Sequence, residues 1–334
     1  MKGKKYIMQA RQNALNNWLK LQLNHQSFTL EPLTGDASFR RYFRLTLSST
    51  TAIVMDAPPD KEPLKHFIQI QRILAAQGIL TPVVRAADIE QGFALIDDLG
   101  DALFLQSLTE GNRDKYYEKA IETLIDLQHA PSESLPKFNQ QHMLNEMNLF
   151  IEWFLKAYLN LSLTASDERV ILNTFNVITE RVAAQPQVFI HRDYHSRNLM
   201  LVGEQMGVID FQDAMLGPVT YDLVSLLKDC YIKLPDAAYQ RYVELFYQHQ
   251  PLVHHWTPHA FIEEMDYCGL QRHLKVLGVF CRLYLRDNKP NYLQDLPLTM
   301  DYTLTCLKRH APLMPLFEWM EARVIPHFME TCPA

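Results

Sequence analysis

The pattern of apolar residues changes character once along this chain, at Asp97-Asp98-Leu99-Gly100, and no all-α or all-β fold accommodates both sides of that change. Upstream, Phe43, Leu45 and Leu47 alternate with Arg44, Thr46 and Ser48, the period of two that lets a strand bury one face. Ala52 to Met55 is a short apolar run closed by Pro58 and Pro59; these two segments read as antiparallel strands with a third close behind. Strand-like runs follow at Val83 to Ala87 and Phe93 to Ile96. Two helices are expected among them. Lys5 to Leu23 has Ile7, Ala10, Ala14, Trp18 and Leu21 at amphipathic spacing, and Leu64 to Gln77 repeats apolar residues up to a glycine stop at Gly78.

Downstream the period lengthens. Helices are expected over Asp114 to Gln128, Met143 to Leu159 and Asp167 to Ala183, then around Thr220 to Lys228, Ala237 to Tyr247, Phe261 to Leu285 and Leu296 to His310, with a last one over Trp319 to Phe328. The fold class is therefore α+β, a small antiparallel sheet lobe (1–97) with one inserted helix, joined to a larger, mainly helical lobe (98–334). A cleft between lobes is the usual place for a ligand.

Only 11 glycines in 334 residues, well under the average of roughly 7%, disfavour a loop-rich all-β fold. A formal charge of −6 argues against a broad nucleic-acid footprint. The basic start, Met1 to Ala10, runs into Arg11, Gln12 and Asn13 rather than an apolar core, and no apolar run is long enough to span a membrane, so a cytoplasmic protein is expected. Cys230, Cys268, Cys281, Cys306 and Cys332 are odd in number and form no C-x-x-C pair, which argues against a disulfide framework or a zinc site. His254, His255 and His259 lack a matching acid or cysteine and read as a polar loop.

One stretch carries chemistry. Val188-Phe189-Ile190 is an apolar strand that delivers the polar loop His191-Arg192-Asp193-Tyr194-His195-Ser196-Arg197-Asn198, and Leu199-Met200-Leu201 leaves it. His191, Asp193 and Asn198 have the His-x-Asp-x4-Asn spacing of a phosphoryl-transfer loop. Gly207-Val208-Ile209-Asp210-Phe211 follows, a second apolar strand ending in an acid. Such a transfer needs an acceptor hydroxyl in line with the γ-phosphate, a group to receive its proton, and cations against the phosphate charge. Asp193 would orient the hydroxyl and take the proton; Asn198 and Asp210 would give magnesium the hard oxygen ligands it prefers.

Together with Gly217-Pro218-Val219-Thr220-Tyr221-Asp222-Leu223, these motifs resemble the aminoglycoside phosphotransferase and choline kinase superfamily. The resemblance implies a two-lobed, protein-kinase-like fold and ATP with Mg2+ as cofactors, and it makes Asp222 a brace for the catalytic loop. Gln212 stands where a protein kinase has glycine, and no Ala-Pro-Glu element follows, so a protein kinase is the weaker reading. The resemblance assigns the phosphate-covering loop to Leu33 to Phe43, with Ser38, Arg41 and Arg44 as nucleotide contacts, and the adenine hinge to Phe93 to Gly100, with Asp97 and Leu99. The third-strand lysine expected near Met55 is missing, so that either another cation, among Arg40, Arg41 and Arg44, neutralises the phosphates or the triphosphate is held mainly by magnesium.

A narrower resemblance, carried by Met55-Asp56-Ala57-Pro58-Pro59, the arginine-rich stretch before it, Asp210-Phe211-Gln212-Asp213 and Leu274-Lys275-Val276-Leu277-Gly278, is to the anomeric N-acetylmuramate/N-acetylglucosamine kinases of cell-wall recycling. It implies a small amino sugar as substrate and no obligate protein partner, and a sugar 1-phosphate as product. Asp193, Arg197, Gln212 and Asp213 would line the acceptor site, and Arg192, Arg197, Arg282 and Arg286 are cations suited to a substrate carboxylate. Two alternatives stay open. An aminoglycoside kinase would need an acidic pocket, for which Glu263, Glu264, Asp266, Asp287 and Asp295 are the candidates; the missing lysine also admits a catalytically silent nucleotide-binding scaffold.

Overall fold

The computed structural model describes residues 2–33, 40–48 and 50–332, with side chains from residue 9 onward. The chain forms two compact units, Met1–Asp101 with Gly207–Gln212, and Ala102–Met206 with Asp213–Ala334.

In the first unit, α1 (Lys2–Gln22) precedes β1 (Thr29–Leu33), β2 (Arg41–Leu47) and β3 (Thr50–Asp56); α2 (Leu64–Ala76), β4 (Val84–Asp88) and β5 (Phe93–Ile96) complete it. The sheet is antiparallel throughout, in the order β1-β2-β3-β5-β4. Strand alternation sends Leu45, Ala52, Val54 and Leu95 to one face, where Leu15, Trp18 and Leu19 of α1 cover them. At about 1.5–3 kcal/mol per buried apolar side chain, those three residues outweigh the tenths of a kcal/mol that propensity gives a helix. β1 was not among the expected strands. It is an exposed edge strand containing Pro32, which tolerates a missing ladder donor only at such an edge and blurs the strand pattern.

Two backbone devices shape the ends of this sheet. Ala57 donates its amide to the Gly92 carbonyl at 2.8 Å, and a Cβ at Gly92 would lie 1.9 Å from the Ala57 oxygen, so only glycine fits there. The segment Gly207–Gln212 is tied on by Val208, whose amide donates to the Leu80 carbonyl at 2.9 Å, and by Phe211, which stacks on Phe67 of α2 with ring centroids 4.8 Å apart.

The second unit begins with α3 (Phe104–Ser107), α4 (Arg113–Gln128), α5 (Gln140–Leu149) and α6 (Ala165–Ala183). Its strands are β6 (Gln187–Ile190), the hairpin β7 (Leu199–Val202) and β8 (Gln205–Val208), whose second strand carries the chain toward residue 210, and β9 (Met215–Pro218), antiparallel to β6. Then come α7 (Tyr221–Leu227), α8 (Asp236–His249), α9 (Pro258–Asp287), α10 (Leu296–Arg309), α11 (Met314–Arg323) and α12 (Ile325–Thr331). The 30-residue α9 is the axis of this unit, packing on α5, α6, α7 and α10.

Two helices differ from expectation. Met143 to Leu159 is not one regular helix: from Phe150 to Tyr158 it widens into a π-helix, a rare form at this length. α9 meets this junction through Gly278, where a Cβ would stand 2.3 Å from the Leu149 carbonyl carbon. Trp319 to Phe328 is broken at Val324, because Pro326 brings no amide to the helix ladder and so begins a new helix instead of extending the old one. Among the described residues no helix is long and apolar enough to cross a membrane. All five cysteines are free thiols, four of them buried.

Candidate active site

β6 ends at Ile190, and the loop after it is fixed by buried acids. Asp222, in the first turn of α7 and fully buried, accepts the amides of His191 at 2.6 Å and Arg192 at 3.0 Å, bracing the loop as the resemblance implied. Burial pushes its carboxyl up to about 6, against the opposing pull of His191 and the two amides. With both amides held, Arg192 sits at φ 77°, a left-handed conformation that few non-glycine residues adopt. Asp229 fixes the far side of the loop by accepting the Ser196 amide at 3.0 Å and its hydroxyl at 2.5 Å.

Within that frame His191, Asp193 and Asn198 come together. The Asp193 amide donates to His191 Nδ1 at 3.2 Å, and the Asn198 side-chain amide donates to the Asp193 carbonyl at 3.0 Å. The Asp193 carboxylate is 41% exposed, more than either charged neighbour, Arg192 or Arg197, in the loop. Arg272, from the middle of α9 and only 5% exposed, donates to the Arg192 carbonyl at 2.8 Å and lies 3.3 Å from Asp193 Oδ1. Desolvation is the largest influence on the Asp193 carboxyl and would raise its pKa; the cations Lys275, Arg272 and Arg192 outweigh it and hold the group well below the usual carboxylate range. An ionised, reachable carboxylate is what a proton acceptor in phosphoryl transfer requires. His195 is neutral by burial, its pKa pushed down to about 4.

In the first unit Asp210 lies exposed just past β8 at φ 62°, and Gln212 donates to its Oδ1 at 2.8 Å. Asn198 and Asp210 are hard oxygen donors, and Asn198 spends its nitrogen on Asp193, so the donor chemistry fits magnesium. Gln212 is buried; Asp213 is exposed and its carbonyl accepts Arg192 Nη1 at 3.4 Å.

The arginines of β2 each hold an acid. Arg41 donates through Nε to Asp56 at 2.9 Å, alongside Arg11 at 2.7 Å, so the fully buried Asp56 of β3 anchors both. Arg44 is spent on Asp98 at 2.8 Å and Asp101 at 2.7 Å. Asp97 pairs with Arg85 at 2.6 Å, and Leu99 is half-buried in the following loop. Ser38 lies outside the described residues.

Of the cations considered for a substrate carboxylate, Arg192 pairs with Glu146 and Arg286 with Asp287, while Arg197 stacks on Tyr231 at 3.6 Å and faces Asp295 at 3.7 Å. The acids considered for a polycation are engaged too. Glu263 and Glu264 hold Arg181, at 2.7 and 2.8 Å, and Asp266 holds Lys228, Arg309 and His310. With Cys306, Asp266 and His310 also group closely enough for a metal, but two full cations already neutralise the carboxylate, and the Cys306 thiol donates to the Asp266 carbonyl.

Sequence reasoning missed Glu146, Asp229 and Arg272, which touch the loop from elements 30 to 80 residues away. A charged residue inside the buried stripe of α9 was the signal available for Arg272.

Residues 29–256 match the family described as phosphotransferase enzyme family. A Neisseria meningitidis serogroup B protein named N-acetylmuramate/N-acetylglucosamine kinase is 37% identical over 330 residues, 96% of this chain and 98% of its own length. A Pseudomonas putida protein of the same name is 35% identical over 91% of this chain and 94% of its own. Among solved structures, choline kinase LicA from Streptococcus pneumoniae superposes with a TM-score of 0.63 at 13% identity, covering 87% of this chain and 99% of its own. An ADP-bound aminoglycoside phosphotransferase APH(2'')-Ib gives 0.61 at 15%, over 86% and 97%. At such identities these two establish the two-lobed kinase-like fold alone.

Proposed function

The chain belongs to the phosphotransferase enzyme family, and from that premise we propose that it transfers the γ-phosphoryl group of ATP to the C1 hydroxyl of N-acetylmuramate or N-acetylglucosamine, in the recycling of cell-wall sugars. The ionised, half-exposed Asp193 carboxylate, held by Arg272 in a loop with His191 and Asn198, is the observation that carries the reading.

Asp193 receives the hydroxyl proton as the sugar oxygen bonds to the γ-phosphorus and the bond to the β–γ bridging oxygen breaks, releasing ADP and the sugar 1-phosphate. A hemiacetal hydroxyl is more acidic than an ordinary alcohol, so a carboxylate suffices as acceptor late in the transfer. Asn198 and Asp210 would each offer a hard oxygen to magnesium, which when bound would offset the charge on the phosphate oxygens. His191 orients the Asp193 backbone; Arg197, Gln212 and Asp213 serve the sugar, and Asp97 and Leu99 the adenine. Such a reaction on a recycled sugar belongs in the cytoplasm and calls for no protein partner. An aminoglycoside acceptor is less well supported, since Glu263, Glu264, Asp266 and Asp287 are already paired with basic side chains.

The deciding assay is ATP turnover with N-acetylmuramate, N-acetylglucosamine and kanamycin, with the phosphate located on the product by 31P NMR. Phosphate on a ring hydroxyl other than C1 would refute the anomeric assignment, and turnover of kanamycin alone would replace the acceptor class.

A further inference from the structure

From Glu264 to Leu283 every residue of α9 is buried except Lys275, Val279 and Arg282. Intervals of four and three put these side chains on one helix face, so this length of α9 opens to solvent along a single narrow stripe that begins one turn after Arg272. The near end of the stripe belongs to the Asp193 loop. Arg272 donates to the Arg192 carbonyl at 2.8 Å and lies 3.3 Å from Asp193 Oδ1, and Lys275 Nζ meets Glu146 Oε1 at 3.1 Å, the oxygen that also holds Arg192.

The far end is unbalanced. Among the described residues Arg282 has neither a hydrogen-bond nor an ion-pair partner, and its Nε is shut off from solvent without an acceptor. Asp287, the acid whose charge reaches it, is held at both oxygens by Arg286, at 2.9 and 2.8 Å; burial, and then the Arg286 charge, press the Arg282 pKa down. A half-buried guanidinium without an acceptor works against folding. A ligand carboxylate would give it two oxygens in the fork geometry it favours.

We propose that Arg282 binds a carboxylate carried by the acceptor sugar, and so favours an amino sugar with an acidic side arm, N-acetylmuramate, over its neutral counterpart, N-acetylglucosamine. This rests on the kinase reading above. Helix side chains lean toward the helix N-terminus, which turns Arg282 back along the stripe toward Asp193. Lys275 to Arg282 covers about 10 Å of helix, the scale of one pyranose ring with an ether arm. Val279 gives the stripe an apolar middle, and Lys275 is already balanced by Glu146. Arg192, Arg197 and Arg286 each face an acid, so of the four arginines suited to a substrate carboxylate Arg282 is the one still open to it.

Initial rates on full-length wild type, Arg282→Met and Arg282→Lys, with saturating ATP and either sugar, test this directly. Arg282→Met should lower kcat/KM for N-acetylmuramate about 10- to 100-fold, the range for losing charge-assisted hydrogen bonds, mainly through KM. The loss with N-acetylglucosamine should be far smaller, so that the ratio between the two sugars shifts by about tenfold or more. Arg282→Lys should restore part of that ratio. The methyl ester of N-acetylmuramate keeps the side arm but not its charge, and wild type should use it about as poorly as Arg282→Met uses the acid. An unshifted ratio in folded Arg282→Met, or an ester that wild type turns over as well as the acid, would overturn the assignment, as would wild-type protein active on N-acetylglucosamine alone. Wild-type protein that phosphorylates neither sugar would instead bring down the kinase reading and this inference with it.

Discussion

Replacing Gly278 by alanine sets two effects of opposite sign against each other. Helix propensity alone favours the change by about 1 kcal/mol in a helix interior. The surroundings oppose it: the new Cβ would lie 2.3 Å from the Leu149 carbonyl carbon, 2.4 Å from its oxygen and 2.6 Å from the Phe150 nitrogen. All three are backbone atoms, so no rotamer change relieves the overlap, and α9 or the start of the π-helix has to retreat by roughly 1 Å to reach ordinary contact. Overpacking of this kind costs typically 1–3 kcal/mol, and the upper end applies where backbone must move. Subtracting the propensity gain leaves about 2 kcal/mol of destabilisation. For a unit of this size that lowers the melting temperature by roughly 4–8 °C. Arg272 lies on the same helix two turns earlier, so turnover should fall along with stability. Calorimetry and initial rates on Gly278→Ala measure both; a variant as stable as wild type, or more so, would refute the close approach.

Asp193→Asn keeps the shape of the loop and removes the proton acceptor, so turnover should drop about 10²- to 10⁴-fold while the melting temperature holds; near-normal rates would exclude a base at 193. Mild acid should act through buried groups of opposite sign. His195 and His273 are buried neutral with pKa values near 4 and 3, so between those values and about 6.5 the unfolded chain binds more protons, and stability falls as pH drops. At pH 5 each contributes a loss of about 2 kcal/mol, partly offset by Asp222 and Asp295, whose raised carboxyls take up protons near 6 in the folded protein; His273→Gln should therefore lessen the fall in urea midpoint from pH 7 to pH 5, and an equal fall in both proteins would mean that the ring at 273 is solvated. In native protein a thiol reagent should modify Cys332 quickly and the four buried cysteines only on unfolding, where five react. Rapid native labelling of more than one thiol would contradict the packing around α9 and α10.

Local rules reached the elements and the loop, while the supports came from pairings they do not encode. The alternation in Phe43 to Leu47 and the apolar run at Ala52 to Met55 became β2 and β3, because period two and a buried face leave little choice of register. His191, Asp193 and Asn198 were legible because eight consecutive residues carry them. Glu146, Asp229 and Arg272 were not, since each reaches the loop from another element, and sequence spacing says nothing about which buried charge will meet which. The same limit applies to Arg41 and Arg44: their strand position was legible, but their pairing with acids on β3 and after β5 was not. Pro326 was visible as a helix breaker, but the apolar spacing on either side of it read as continuous.

Left-handed backbone at Arg192 and Asp210 bears on how this enzyme should be dissected. Asparagine and glycine enter that conformation readily, whereas alanine resists it. An alanine scan would thus change chain geometry and side-chain chemistry in a single step at both positions, and would overstate what the guanidinium or the carboxylate does. Asp210→Asn and Asp210→Gly bracket the true contribution of the carboxylate, and Arg192→Gly, compared with Arg192→Ala, separates the cost of the bend from the loss of the ion pair with Glu146.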